Sequence, residues 1–268
     1  MKVARSTYYS ILNHKASNRE IENNILKSKI FKVYCDNRKV YGSIKITRIL
    51  RDNGYPKLSV NRVSRLMKQL GIRSITIRKF KNYRNKQNEH SELKNLVNQN
   101  FSAQKPNQIW LSDITYIHTV KNGWTYLASV LDVCTRKIVG YSYGRKMDRS
   151  LVISALTNSW QNQNYPNNVI LHSDRGSQYT SSEYIAAAER MGFRLSYSKK
   201  GCPFDNAPME SFHSVLKKEE VYLKHYSSFY EANIRLFDYI NGFYNRNRIH
   251  SAINFLSPIQ FENSLFYS

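Results

Sequence analysis

Acid is what this sequence has least of relative to its opposite. Its 268 residues hold 19 Asp and Glu against 41 Lys and Arg, a formal net charge of +22. An imbalance of that size calls for a polyanionic partner, nucleic acid before any other. Cysteine is scarce too: Cys35, Cys134 and Cys202 are widely spaced, odd in number and without a CxxC pair. That excludes a disulfide framework and a zinc site and fits a reducing cytosol. No apolar run reaches transmembrane length and the N-terminus has no signal-peptide core, so the expectation is a cytoplasmic protein without membrane contact. Internal repeats and long low-complexity tracts are absent. The length is enough for one large domain or two modest ones with a sizeable core.

The shortage of acid is uneven. Residues 1–105 carry 24 Lys and Arg against 6 Asp and Glu, whereas 106–268 carry 17 against 13. Two modules are therefore expected, a basic one over 1–105 and a nearly balanced one over 106–268 with a helical C-terminal extension. In the first, helices are predicted over 19–34, with Ile21, Ile25, Ile30 and Val33 on the apolar side, and over 43–52, with Ile46, Ile49 and Leu50. A third, capped by Ser59 and ended by Gly71, turns Val60, Val63, Leu66, Met67 and Leu70 inward and Arg62, Arg65 and Lys68 outward. This is the outline of a helix-turn-helix. The pattern equally fits a small bundle with a solvated basic face, and the segregated charge favours DNA contact. Residues 72–87 then hold Arg73, Arg78, Lys79, Lys81, Arg84 and Lys86 with no acid, an arm suited to phosphates.

The second module opens with a strand over 109–118 that alternates Leu111, Asp113, Thr115 and Ile117 against Trp110, Ser112, Ile114 and Tyr116. Lys121, Asn122 and Gly123 make a hairpin turn, and further strands are predicted over 124–131, 137–143, 169–171 and 193–197. Helices are expected over 148–161, 182–191 and 229–244, and from about residue 207 onward. This order gives a mixed five-stranded sheet with flanking helices, a ribonuclease-H-like architecture behind a small basic helical module.

Three carboxylates stand out. Asp113 sits mid-strand among apolar neighbours, where an acid is costly unless bonded or paired with a cation. Asp174 ends a short apolar strand, and Glu210 lies in the first turn of a helix, with 35 residues between the two. Singly, each has an ordinary reading: backbone bonding for Asp113, a strand-ending turn for Asp174, a favourable helix-end charge for Glu210. Jointly they suggest a cage of hard oxygen donors for Mg²⁺ or Mn²⁺, two ions in all. Ser214 and Lys217 follow Glu210 on the same helical side, toward DNA phosphates. His213 reads as a surface residue, with a place near the site as the alternative, and His172 adjoins the presumed metal site.

The segments YGSIKI…VSRLMKQLGI, PNQIWLSDITYI, LDVCTRKIVGYS, LHSDRGSQYTS, DNAPMESFHSVLKKE and YNRNRIHSAINFLSP resemble the second-reading-frame transposases of the insertion-sequence-three family. That family lies within the superfamily of DDE transposases and retroviral integrases. The resemblance spans nearly the whole chain. It implies that Asp113, Asp174 and Glu210 form a catalytic metal-binding triad. It implies hydrolysis that frees a 3′-hydroxyl at an element end, followed by attack of that hydroxyl on another phosphodiester. The implied partners are terminal inverted repeats, target DNA and further copies of the chain on DNA. Fusion by frameshifting to an upstream product with its own helix-turn-helix and leucine zipper is also implied; this chain carries no zipper and is expected to be the catalytic portion. Two rivals remain: a DNA-binding regulator without catalysis, and a metal-dependent nuclease without strand transfer.

Overall fold

The computed structural model describes residues 15–77, 94–199 and 203–266, with Arg5 and Tyr9 besides. The chain divides into two compact units, Met1–Ile75 and Thr76–Ser268. Packing thus divides earlier than charge does, because 94–105 folds onto the second unit. There Lys94 O accepts from Tyr197 N at 3.0 Å, and Leu96 N donates to Ser196 Oγ at 2.9 Å. No helix among the described residues is long and apolar enough to cross a membrane.

In the first unit α1 (Asn18–Asp36), α2 (Ser43–Asp52) and α3 (Val60–Gln69) pack together. Ser17 and Glu20 close a reciprocal capping box at the start of α1. The buried stripe of α1 is Leu26, Ile30 and Tyr34, each four residues from the last. Ile21 and Ile25, expected inside, are half exposed: they lie about 140° and about 100° around the helix from Leu26. In α3 Val63, Leu66 and Met67 are buried, the Ser59 hydroxyl accepts from Arg62 N, and Gly71 takes the left-handed conformation (φ +66°) that stops the turn.

The second unit is built on five strands, β1 (Ile109–Thr119), β2 (Gly123–Asp132), β3 (Ile138–Gly144), β4 (Ile170–Ser173) and β5 (Arg194–Tyr197), in the order β3-β2-β1-β4-β5. β1, β2 and β3 are antiparallel; β4 runs parallel to β1, and β5 to β4. A period of two sorts β1 into two faces. Trp110 joins Ala128, Val130 and Val139 in a core closed by α4 (Arg149–Asn162) and α5 (Ser182–Arg190). α4 lies so close to β3 that a Cβ on Gly140 would collide with Ser159.

The opposite face carries the buried Leu111, Ile117, Leu127 and Leu131, and α6 (Ala207–Glu219) packs against β1 there. Beyond α6 come α7 (Phe229–Phe237), a π-helical stretch (Asp238–Tyr244) and α8 (Pro258–Phe266). The helix predicted over 229–244 thus forms in two windings. Its buried side is Ala232, Leu236, Tyr239, Ile240, Phe243 and Tyr244, while Phe237 is 62 % exposed. The mixed five-stranded sheet and the helical module before it are those expected from the sequence.

Candidate active site

The site is set by register. β4 pairs with β1 only through Ile109, Trp110 and Leu111, with Leu111 opposite His172. Continuing that register by two residues brings Asp174 across from Asp113, just where β4 ends and the edge of β1 opens. The two carboxylates interact electrostatically: burial, then the negative charge of Asp113, holds the Asp174 carboxyl above the usual range, against the lowering effect of the Gly176 N–H. That N–H donates to Asp174 Oδ1 at 2.9 Å in a tight turn. Asp113 is half buried; its Oδ1 accepts from Ile114 N at 2.7 Å, and its Oδ2 lies 3.4 Å from His213 Nδ1.

Glu210 is half buried in the first turn of α6, one turn before His213. Among the described residues, no three His, Cys, Asp or Glu side chains gather closely enough to hold a metal ion, so Glu210 does not form one group with the two aspartates here. Asn206, at the start of α6, donates through Nδ2 to Ser112 O at 3.4 Å. Its Oδ1 and His213 Nε2 are buried and find no hydrogen-bond partner among the described residues. The donor chemistry nonetheless suits a hard divalent cation: two coupled carboxylates, a third on the adjacent helix, and unmatched buried polar atoms beside them.

The other acids nearby have structural employment. Asp132 accepts from Thr135 and Asn107 N in the β2–β3 turn, and Asp148 caps α4. Asp205 accepts from Asn95, Gln99 and Lys199 N. His172 is fully buried, its ring nitrogens 2.8 and 3.0 Å from the hydroxyls of Ser196 and Ser198. It braces β4 against β5 instead of facing the carboxylates.

His213, expected at the surface, is only 7 % exposed. The stripe Met209, Phe212, His213 and Leu216 recurs at intervals of three and four and faces the sheet, a pattern that would have revealed it. Tyr179 was not singled out either. It is buried, accepts from Ser112 Oγ at 3.1 Å, and is raised well above the usual phenol range by burial and then by Asp113. Only tertiary packing brings it to the site.

Comparison with known proteins follows the same division. A family model described as an HTH-like domain matches residues 20–80, and models described as an integrase core domain match 103–203 and 210–266. The transposase for insertion sequence element IS904 of Lactococcus lactis is 38% identical over 252 residues, covering 94% of this chain and 98% of that protein. Transposase InsF for insertion sequence IS3A of Escherichia coli K12 is 37% identical over 265 residues, 98% and 91% of the two. The chain belongs to the insertion-sequence transposases. Among solved structures, the HTLV-2 integrase catalytic core domain in complex with magnesium superposes with a TM-score of 0.47 at 16% identity, over 60% of this chain and 99% of that one.

The cations expected to meet DNA in this transposase stand differently. Arg65 and Lys68 on α3 are exposed, whereas Arg62 forks onto Glu22 at 3.0 and 2.8 Å and onto Asn23, an intramolecular role. Ser214 and Lys217 are half buried on α6. Arg78, Lys79 and Lys81 lie outside the described residues.

Proposed function

We propose that this chain is a divalent-metal-dependent DNA transposase that cleaves at the ends of its element and joins the freed strand to target DNA. The observation that carries the reading is the coupled pair Asp113 and Asp174 at the open end of the β1–β4 ladder, in a chain of the insertion-sequence transposases. Two like charges facing each other across strand ends are unfavourable alone and favourable around a cation. Asp113, Asp174 and Glu210 would hold Mg²⁺ or Mn²⁺ as a pair of ions, which would supply Lewis-acid activation for phosphodiester displacement.

The chain's own residues orient the donors. Ile114 N–H and His213 fix Asp113 from two sides, and Gly176 N–H fixes Asp174. Glu210, on the helix that packs against β1, would supply the third carboxylate. Ser214 and Lys217, one and two turns further along α6, align phosphates, and Arg65 and Lys68 anchor duplex DNA. The reading includes terminal inverted repeats and target DNA as substrates, an oligomer on DNA, and fusion to an upstream product.

The test is Glu210→Gln, with Asp113→Asn and Asp174→Asn beside it, assayed with terminal-repeat DNA and Mg²⁺ in the chain fused to its upstream frame. Each should abolish cleavage and strand transfer while folding and DNA binding persist. A Glu210 that merely suits a helix N-terminus would cost about 0.3–1 kcal/mol of stability and leave activity largely intact. Full strand transfer by folded Glu210→Gln would overturn the mechanism.

A further inference from the structure

β1 continues eight residues past its pairing with β4, and the free end carries a row of rings. Tyr116 stands opposite Tyr126, and His118 opposite Trp124, all on one face of the hairpin. They meet edge to face: Tyr116 lies 5.4 Å from Tyr126 and 6.4 Å from Trp124, and His118 lies 5.2 Å from Trp124. Each edge-to-face contact caps one ring face at most, and Trp124 is 60 % and Tyr116 48 % exposed, so aromatic surface stays open to solvent. The four rings line a groove of about 720 Å³ whose other wall includes Lys217 of α6 and Lys224 beyond it.

The groove is braced. Val120 N donates to Tyr226 O at 2.9 Å, Lys121 N to Ser227 O at 3.0 Å, and Phe229 N to Asn122 Oδ1 at 2.9 Å, stitching the chain after α6 to the hairpin tip. The ordinary account of such rings is cross-strand pairing that stabilises a hairpin. That account leaves unexplained why Tyr116 and Trp124 stay so exposed and why the wall that faces them carries Lys217 and Lys224 along with Tyr222 and His225.

We propose that this groove is a stacking platform for unpaired nucleotides of the DNA substrate, a deepening that rests on the transposase reading. In a duplex both faces of each base are covered by neighbouring bases, so open aromatic faces select unstacked ones. Ammonium groups across the groove supply the backbone contact. The helix that bears Glu210 bears Lys217 seven residues on, about 10 Å along its axis. A strand led to the carboxylates parts from its complement, and the platform lies two turns of α6 away to hold the unpaired bases.

The experiment compares a fluorescent oligothymidylate with a duplex of equal length on the full chain. Trp124→Ala and Tyr116→Ala should each weaken oligothymidylate binding about 5- to 150-fold and change duplex binding less than twofold, with Trp124→Phe largely restoring it. In the unaltered chain, photocrosslinking through 5-iodouracil should map to Gly123–Asp132 or Ile109–Thr119, which decides the matter even if a variant misfolds. Unchanged oligothymidylate affinity in both folded variants, equal loss for both DNAs, or crosslinks elsewhere would overturn the proposal. Failure of the transposase reading is distinguishable: a chain that crosslinks here yet joins no DNA, even fused to its upstream frame, defeats that reading and leaves the platform standing.

Discussion

At the scale of the residue, His172 shows how burial sets chemistry. Both of its nitrogens face serine hydroxyls, and burial pushes its pKa from 6.5 down to about 4, with Asp205 opposing the fall. The folded state therefore binds this proton less readily than the unfolded chain. Stability from this site is complete above the unfolded pKa near 6.5 and is lost as pH falls toward 4, by roughly 3 kcal/mol over the whole window. The thermal midpoint should decline across that window, and His172→Gln should flatten the decline while lowering the midpoint at pH 7. An equal slope in the variant would assign the effect to other groups. Asp174 shows the opposite case: burial and then the neighbouring Asp113 raise its carboxyl above the usual range.

At the scale of the element, α6 carries Glu210 at one end and is anchored at the other. Glu219 receives a forked ion pair from Arg248, at 2.8 Å on both oxygens, and a hydrogen bond from Tyr239 at 2.8 Å, all buried. Arg248→Ala would leave a buried carboxylate without its counter-charge, a loss of about 3–5 kcal/mol. The paired change Glu219→Gln with Arg248→Met should cost far less than the two single changes together. Denaturant midpoints would measure this; additive losses would mean the ion pair is not what holds α6. The contact of α4 with β3 invites a second substitution. Gly140→Ala forces its methyl into Ser159 and should destabilise by about 1–3 kcal/mol through overpacking, read as a lower thermal midpoint.

At the scale of the whole molecule, charge and chemistry are divided along the chain. The basic N-terminal unit offers Arg65 and Lys68 from the exposed side of α3, while Arg62 is engaged with Glu22. Duplex affinity should fall steeply with salt, with a log–log slope near −0.9 for each phosphate neutralised. The double substitution of Arg65 and Lys68 by Ala should flatten that slope by about 2, whereas Arg62→Ala should act mainly on stability. An unchanged slope in the double variant would remove α3 from the DNA-contacting surface.

Periodicity and composition determined much of this protein. The period of two in β1, the Gly123 hairpin (φ +64°), the Ser59 cap and the stops at glycine are local choices of the backbone, readable without partners. So were the five strands and the order in which helices separate them, and with them the three acids at a strand, a strand end and a helix start. The tertiary structure decided what depends on neighbours distant in sequence. It rotated α1 so that Leu26, Ile30 and Tyr34 face inward and Ile21 and Ile25 do not, because the packing angle against α2 and α3 is not encoded in one helix. It buried His213 against Asp113 and His172 between two serines, gave Arg62 to Glu22, and opened the aromatic groove where β1 outruns β4. Sequence fixes how each element buries its own backbone and which faces are apolar. Which side chains meet across elements is settled only by packing, since it depends on registers and crossing angles that the whole core chooses at once.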